Sequence, residues 1–161
     1  MHKNPFALFD NIDYQIIKKL QKNSRKPAKK IAEELNLNDR TVRKRIDRMI
    51  EMGVGRFALI LDPAMFGYSI SVDIFLEIDL EKEEEIIRKL LAMPQVSYLA
   101  FGQETNELSL EARYKSTEQL YEFLWKVIPG IEGVKVTKYT LVPRIMRNID
   151  EWMPSREDFA D

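Results

Sequence analysis

The stretch DRTVRKRIDRM, residues 39–49, places four arginines and one lysine among eleven residues, opposed by Asp39 and Asp47. Cations at this density attract a polyanion, and arginine is also the side chain that reads guanine bidentately through O6 and N7. At 3.6 residues per turn, Val42, Ile46, Met49 and Ile50 line one side, while Arg40, Thr41, Arg43, Lys44 and Asp47 point elsewhere. The basic residues crowd the first turns of one face instead of ringing the helix. Residues 39–52 span about 21 Å as a helix, ample to lie in a major groove. Arg40, Thr41, Arg43 and Lys44 are therefore base-edge or near-base candidates. Arg45 and Arg48 are candidates for phosphate contact or positioning, with bracing of the fold an alternative for Arg45.

Lys29 and Lys30 point the same way. They fall in the first turn of a preceding short helix, where a cation opposes the helix dipole and costs roughly a few tenths of a kcal/mol. A docked phosphate would reverse the sign of that effect, so both are phosphate candidates. Solvation by water is the plainer alternative.

The elements that must position these groups are three short helices. Asp10 caps the first with Asp13 three residues on, and Phe9 and Tyr14 are placed to staple across the turn. Ile16, Ile17 and Leu20 form its apolar stripe. Pro27 suits the first turn of the second helix, whose inner face is Ile31, Ala32 and Leu35. Asn38 is the expected N-cap of the third, and Gly53 its stop. Two short helices, a tight turn and a third helix with base-capable side chains near its start is the helix-turn-helix layout.

Charge divides along the chain. Residues 1–56 hold 14 Lys and Arg against 7 Asp and Glu, and residues 57–161 hold 11 against 19, so a net charge of −1 conceals a basic first part and an acidic remainder. Nucleic acid is then the partner of the first part only. No apolar run approaches a membrane span and the N-terminus does not resemble a signal peptide, so a cytoplasmic protein is expected, with no membrane partner. The absence of cysteine excludes disulfides, thiolate metal sites and thiol catalysis. Five Gln and many Lys and Glu lean toward a heat-adapted source.

Past residue 69 the periodicity changes to two. SISVDIFLEIDL sets Ile70, Val72, Ile74, Leu76, Ile78 and Leu80 on one face. A helix follows over 81–93 with Ile86, Ile87, Leu90 and Leu91 inward, then strands VSYLAF and LSLEARY. Ser116 opens a helix with Gln119 as its capping partner and Leu120, Leu124, Val127 and Ile128 as its stripe. VKVTKYTLV is the last strand. The order βαββαβ is the ferredoxin-like arrangement. The helices cover one sheet face; Phe75, Leu99 and Phe101 fall on the other, where exposed aromatics call for self-association or for cover by another part of the chain.

FDNIDYQIIKKLQKNSR, IAEELNLNDRTVRKRIDRMIEMGV and LDPAMFG together resemble the Lrp/AsnC (feast/famine) transcription regulators over roughly residues 8–143. The match in the first part is specific: Leu37, Asn38, Val42 and Arg45 recur in order, ending in Gly53 and Val54. The resemblance implies an α+β chain with an N-terminal (winged) helix-turn-helix domain followed by a βαββαβ RAM domain. It also implies a homodimer joined through RAM sheets, further assembled into tetramers or octamers, that binds double-stranded DNA at a palindromic operator and senses a small effector such as an amino acid. The domains implied are 1–55, a linker strand or hinge at 56–69, the RAM domain at 70–143, and a C-terminal extension at 144–161.

The chain departs from that family at three places. Pro27 stands where the family usually has Ser or Thr, and Lys30 where it often has Glu. FGQETNELSL lacks the aspartate common in the family's effector loop, leaving Gly102, Glu104, Thr105 and Asn106 as effector candidates, with a plain polar turn as the alternative. The extension past residue 143 carries Trp152, Met153 and Phe159, which either pack on the sheet or a neighbour or belong to a loose acidic tail.

Two other functions compete: a tetrapyrrole-decarboxylase-like enzyme of the same layout, and a low-specificity, chromatin-like packaging protein. The enzyme reading lacks residues to carry it. His2 is the single histidine, and EKEEE at 81–85 suits a solvated helix start. No catalytic residue, metal ligand or cofactor is expected.

Overall fold

Asp10 starts the first helix, α1 (Asn11–Lys22). Its carboxylate accepts from the amides of Ile12 and Asp13 at 2.8 and 3.0 Å, and Asp13 returns the favour by accepting from the Asp10 amide at 3.1 Å. Helix α2 (Ala28–Leu35) begins after Pro27, which offers no side-chain cap, and closes at Asn36 in the left-handed region, φ 55°. Asn38 then caps α3 (Asp39–Glu51) through the Arg40 amide at 2.8 Å. Helix α3 ends as expected at Gly53, φ 72°, where the Gly53 and Val54 amides donate to the carbonyls of Ile50 and Met49.

The structure is a computed structural model that describes residues 8–102, 105–148 and 151–160. The chain divides into two compact units: Met1–Ile60 with Arg147–Asp161, and Leu61–Met146. Ile16, Ile31, Ala32, Val42 and Met49 form the core of the first, with Phe9 and, from the far end of the chain, Phe159. Ile50, expected inward, is exposed. It lies about 80° around the helix from Val42, off the edge of the buried stripe. No wing strands follow α3 among the described residues. Residues 56–62 are irregular, and Asp62 caps a 3-10 turn at Pro63–Phe66.

In the second unit, strands β1 (Ile70–Ile78), β2 (Val96–Phe101), β3 (Glu107–Tyr114) and β4 (Val134–Leu141) form one antiparallel sheet in the order β2-β3-β1-β4. Helices α4 (Glu83–Leu91) and α5 (Thr117–Glu122) complete βαββαβ. Val72, Ile74, Leu76 and Ile78 are buried, while Leu80 has left the strand for a 3-10 turn and is exposed. Leu91 at the end of α4 is exposed as well. After α5 the chain opens into a π turn over Phe123–Val127, with the Ile128 amide donating to the Phe123 carbonyl at 2.9 Å. The wider turn brings Phe123 into the core against Tyr114 and leaves Val127 outside, against the expected stripe.

The sheet faces also differ from expectation. In β2 the register shifts between Val96 and Tyr98, so Leu99 pairs with Leu110 and Phe101 with Leu108. Both therefore belong to the helix-covered side, and Leu99 packs against the core. Tyr98, 60% exposed, takes their place on the open face with Phe75. One extra residue in a strand reverses every later side chain, which alternation alone does not reveal. Opposite Phe75 stands Lys138, its ammonium 5.7 Å from the ring centroid.

Candidate nucleic-acid interface

Helix α3 is fixed to α1 by charge as well as by packing. Arg45 Nη1 lies 2.8 Å from Asp10 Oδ1 and 2.9 Å from Asp13 Oδ1, and Arg48 Nη2 lies 2.9 Å from Asp13 Oδ2. Arg48 also donates to the Leu8 carbonyl at 3.2 Å, and its guanidinium sits 5.2 Å from the Phe9 ring centroid. Asp13 is buried; two cations and the Asp10 amide meet its two oxygens. Burial pushes the Asp10 carboxyl up, but Arg45 and the amides of Asp13 and Ile12 outweigh it, so it sits below its ordinary range. The Asp10 hydrogen bond in turn raises the Arg45 guanidinium. These two arginines are thus engaged in holding α3 in place.

The other side of α3 presents different chemistry. Arg40, Thr41, Arg43 and Lys44 are all exposed. Arg43 pairs with Asp39 one turn earlier at 3.0 Å, an exposed contact of the kind worth about 0.3–0.5 kcal/mol. Arg40 and Lys44 have no ion-pair partner among the described residues. Four side chains able to donate to base edges or phosphates therefore stand on a helix whose back is locked to α1.

Lys29 and Lys30 are exposed in the first turn of α2, which carries no acidic residue there and no side-chain cap. The Lys30 and Ile31 amides donate to the Pro27 carbonyl at 2.9 and 3.1 Å, which leaves the amides of Ala28 and Lys29 ahead of them for an acceptor from outside. Sequence reasoning passed over a second basic surface, a concavity lined by Lys18, Lys19, Lys22 and Lys26 with Tyr14 and Glu34. Lys19 and Lys26 both bind Glu34, at 2.7 and 2.5 Å, and hold its carboxyl down to about 2. Lys18 and Lys22 have no ion-pair partner among the described residues. The Lys18, Lys22, Lys26 spacing was the signal: two residues one helical turn apart and a third just beyond the helix.

Of the effector candidates, Glu104 lies outside the described residues. The others shape the β2–β3 turn: the Gly102 amide donates to the Glu107 carbonyl at 2.9 Å, Thr105 Oγ1 donates to the Gly102 carbonyl at 3.2 Å and accepts from the Glu107 amide at 3.2 Å. A Cβ on Gly102 would come within 2.4 Å of Thr105 Oγ1, which accounts for the glycine. The Asn106 carbonyl accepts from the Ile78 amide at 2.8 Å, tying the turn to the end of β1. Beside it lies a hollow lined by Glu77, Asp79, Gly133 and Lys135.

Among the described residues, no His, Cys, Asp or Glu group could hold a metal ion, and no helix is long and apolar enough to cross a membrane.

Residues 9–50 match the AsnC-type helix-turn-helix domain. The transcriptional regulator FL11 of Pyrococcus horikoshii is 32% identical over 77% of this chain and 84% of its own. Among solved structures, AsnC of E. coli superposes with a TM-score of 0.78 at 22% identity, covering 88% of this chain and 97% of its own. The regulator NMB0573 of Neisseria meningitidis, solved with L-Met, gives 0.77 at 20% identity over 86% and 92%.

Proposed function

The chain belongs to the Lrp/AsnC family of helix-turn-helix transcriptional regulators, and from that premise we propose a specific division of labour in its binding of double-stranded DNA. Helix α3 enters the major groove. Arg40, Thr41, Arg43 and Lys44 meet base edges or lie near them, with arginine to guanine the strongest reading pair. Lys29 and Lys30, beside the open amides of α2, take phosphates. Arg45 and Arg48 hold α3 at its angle by gripping Asp10 and Asp13. The observation that carries this reading is the two-sidedness of α3, with one face paired to buried acid and the other basic and exposed.

A dimer joins the open sheet faces, where Phe75 and Tyr98 lie among charged residues of both signs. The apolar linker side chains support self-association too; Leu59 alone is 86% exposed and calls for cover. Two reading helices related by two-fold symmetry predict a palindromic operator. The turn at Gly102–Asn106 and its adjoining hollow are the site proposed for a small effector, of which an amino acid is the favoured class, since NMB0573 was solved with one.

The test is selection of genomic fragments by the purified protein, followed by gel shifts of the retained fragments at two salt concentrations. A short palindrome bound well above competitor DNA is expected. Salt-sensitive binding without sequence preference would replace this reading with a packaging role.

A further inference from the structure

The last ten described residues lie along α1. Phe159 is 6% exposed within the core of the first unit, its ring edge-on to Tyr14 with centroids 5.1 Å apart. A capped 3-10 turn, Arg156–Asp158, presents it: the Ser155 amide donates to the Asp158 carboxylate at 2.9 Å. The next residue, Ala160, forms a parallel bridge with Asp10 and donates its amide to the Phe9 carbonyl at 2.8 Å. At the other end of α1, Gln21 Nε2 donates to the Trp152 carbonyl at 2.7 Å. The segment therefore touches both ends of a helix about 18 Å long.

Its contact at the N-terminal end coincides with the anchor of α3. Phe9, whose carbonyl receives Ala160, has its ring under the Arg48 guanidinium. Asp10, bridged by Ala160, is the residue that Arg45 binds. The carbonyl of Leu8 accepts from Arg48. Residues 8–10 are thus held between the C-terminal segment on one side and the two arginines of α3 on the other. A short extended stretch before a helix frays readily unless tied down, and any freedom it gained would pass to both arginines.

We propose that residues 151–160 form a strap that positions the recognition helix, so that the extreme of the chain contributes to DNA affinity without touching DNA. The proposal rests on α3 being the reading helix. Phe159 then has a defined role, in the helical core and not on the sheet or a neighbour as the sequence suggested, and Trp152 contributes its backbone carbonyl while its side chain stays exposed. The strap acts through Phe9 and Asp10, and its residues are positioning residues.

Two measurements on the full-length chain separate this idea from the DNA-binding reading. The first is hydrogen exchange of the α3 amides, which needs no DNA. Phe159→Ala should speed exchange across α3 while leaving β1 and β3 protected, and Phe159→Leu, which keeps an apolar side chain in the core, should restore most of the protection. Unchanged α3 protection in Phe159→Ala overturns the strap whatever the protein binds. The second is affinity for the best-bound fragment from the genomic selection. Phe159→Ala should weaken it on the order of tenfold, within the usual range of coupling between sites, with an unchanged salt slope because no phosphate contact is lost. A weaker affinity with a shallower slope would mean that the segment touches DNA itself and would overturn the positioning role. If Phe159→Ala loses its helical circular dichroism, Ala160→Pro decides: it deletes the amide that donates to the Phe9 carbonyl without opening the core, and unaltered α3 exchange in it rejects the strap. Absence of any DNA binding by the wild-type chain would sink the functional reading alone, since the exchange arm stands apart from it.

Discussion

Asp13 on α1 and Arg48 on α3 meet at 2.9 Å, the carboxylate side chain 1% exposed and the guanidinium 45% exposed. The asymmetry decides which partner is costly to lose. Replacing both Arg45 and Arg48 by Met strands a buried charge, and removing the partners of such a charge costs about 3–5 kcal/mol. Asp13→Asn keeps an acceptor for the Asp10 amide and lets Arg48 turn to water, so it should cost about 1–2 kcal/mol. Urea unfolding followed by the helical signal of the first unit measures both. Equal losses would show that the grip on α3 is not centred on Asp13.

Acid should loosen the neighbouring Asp10–Arg45 pair. The Asp10 carboxyl lies below its ordinary range in the folded chain, burial opposing and Arg45 with two amides prevailing. A folded value below the unfolded one means stability that is complete above the unfolded carboxylate range, near pH 4, and lost as pH falls through the folded value. Asp10→Asn keeps the helix cap but carries no charge. Its melting temperature should fall less steeply than the wild type's below about pH 4. Parallel curves would remove Asp10 from the acid response.

Lys30 and Arg43 should fail in different ways. Lys30→Ala removes one phosphate contact from each protomer, so affinity drops on all DNA and the slope of log K against log salt shrinks by about 1.8 for the dimer. Arg43 must release only its exposed pair with Asp39 to reach a base, a small cost. Titrations at four salt concentrations on specific and random duplexes distinguish the two. A Lys30→Ala slope equal to that of the wild type would take Lys30 out of the phosphate set.

The turn at Gly102 makes a separate prediction. Because a Cβ there meets Thr105 Oγ1 at 2.4 Å, Gly102→Ala should cost about 1–3 kcal/mol through overpacking. Thr105→Ala in the same chain should recover part of that loss, since it removes the colliding oxygen along with its two hydrogen bonds. Additive costs in the double variant would mean that the turn relaxes around the methyl group.

What the sequence disclosed, and what it withheld, follows physical range. Caps and stripes are local, so Asp10, Asn38, Gly53 and the βαββαβ order could be read directly. The exposed basic face of α3 was legible because charge and helical period are both local. Leu99 and Phe101 were placed on the wrong sheet face because a bulge near Ser97 leaves no mark in an alternating pattern. Phe123 and Val127 exchanged places because a π turn departs from the 3.6 period that any stripe assumes. Arg45 and Arg48 read as part of a basic run; their carboxylate partners lie 35 residues away. Phe159 is farther still from α1 in sequence, and nothing in a polar terminal stretch marks one phenylalanine as core.

Base reading by α3 is tested by the affinity of wild type and Arg43→Ala for the selected palindrome and for a shuffled duplex of equal composition. Wild type should strongly prefer the palindrome, and Arg43→Ala should forfeit about 1–3 kcal/mol of that preference while binding shuffled DNA nearly as before. Equal losses on both duplexes would contradict base reading by Arg43, and a wild type without preference would contradict sequence-specific regulation by α3.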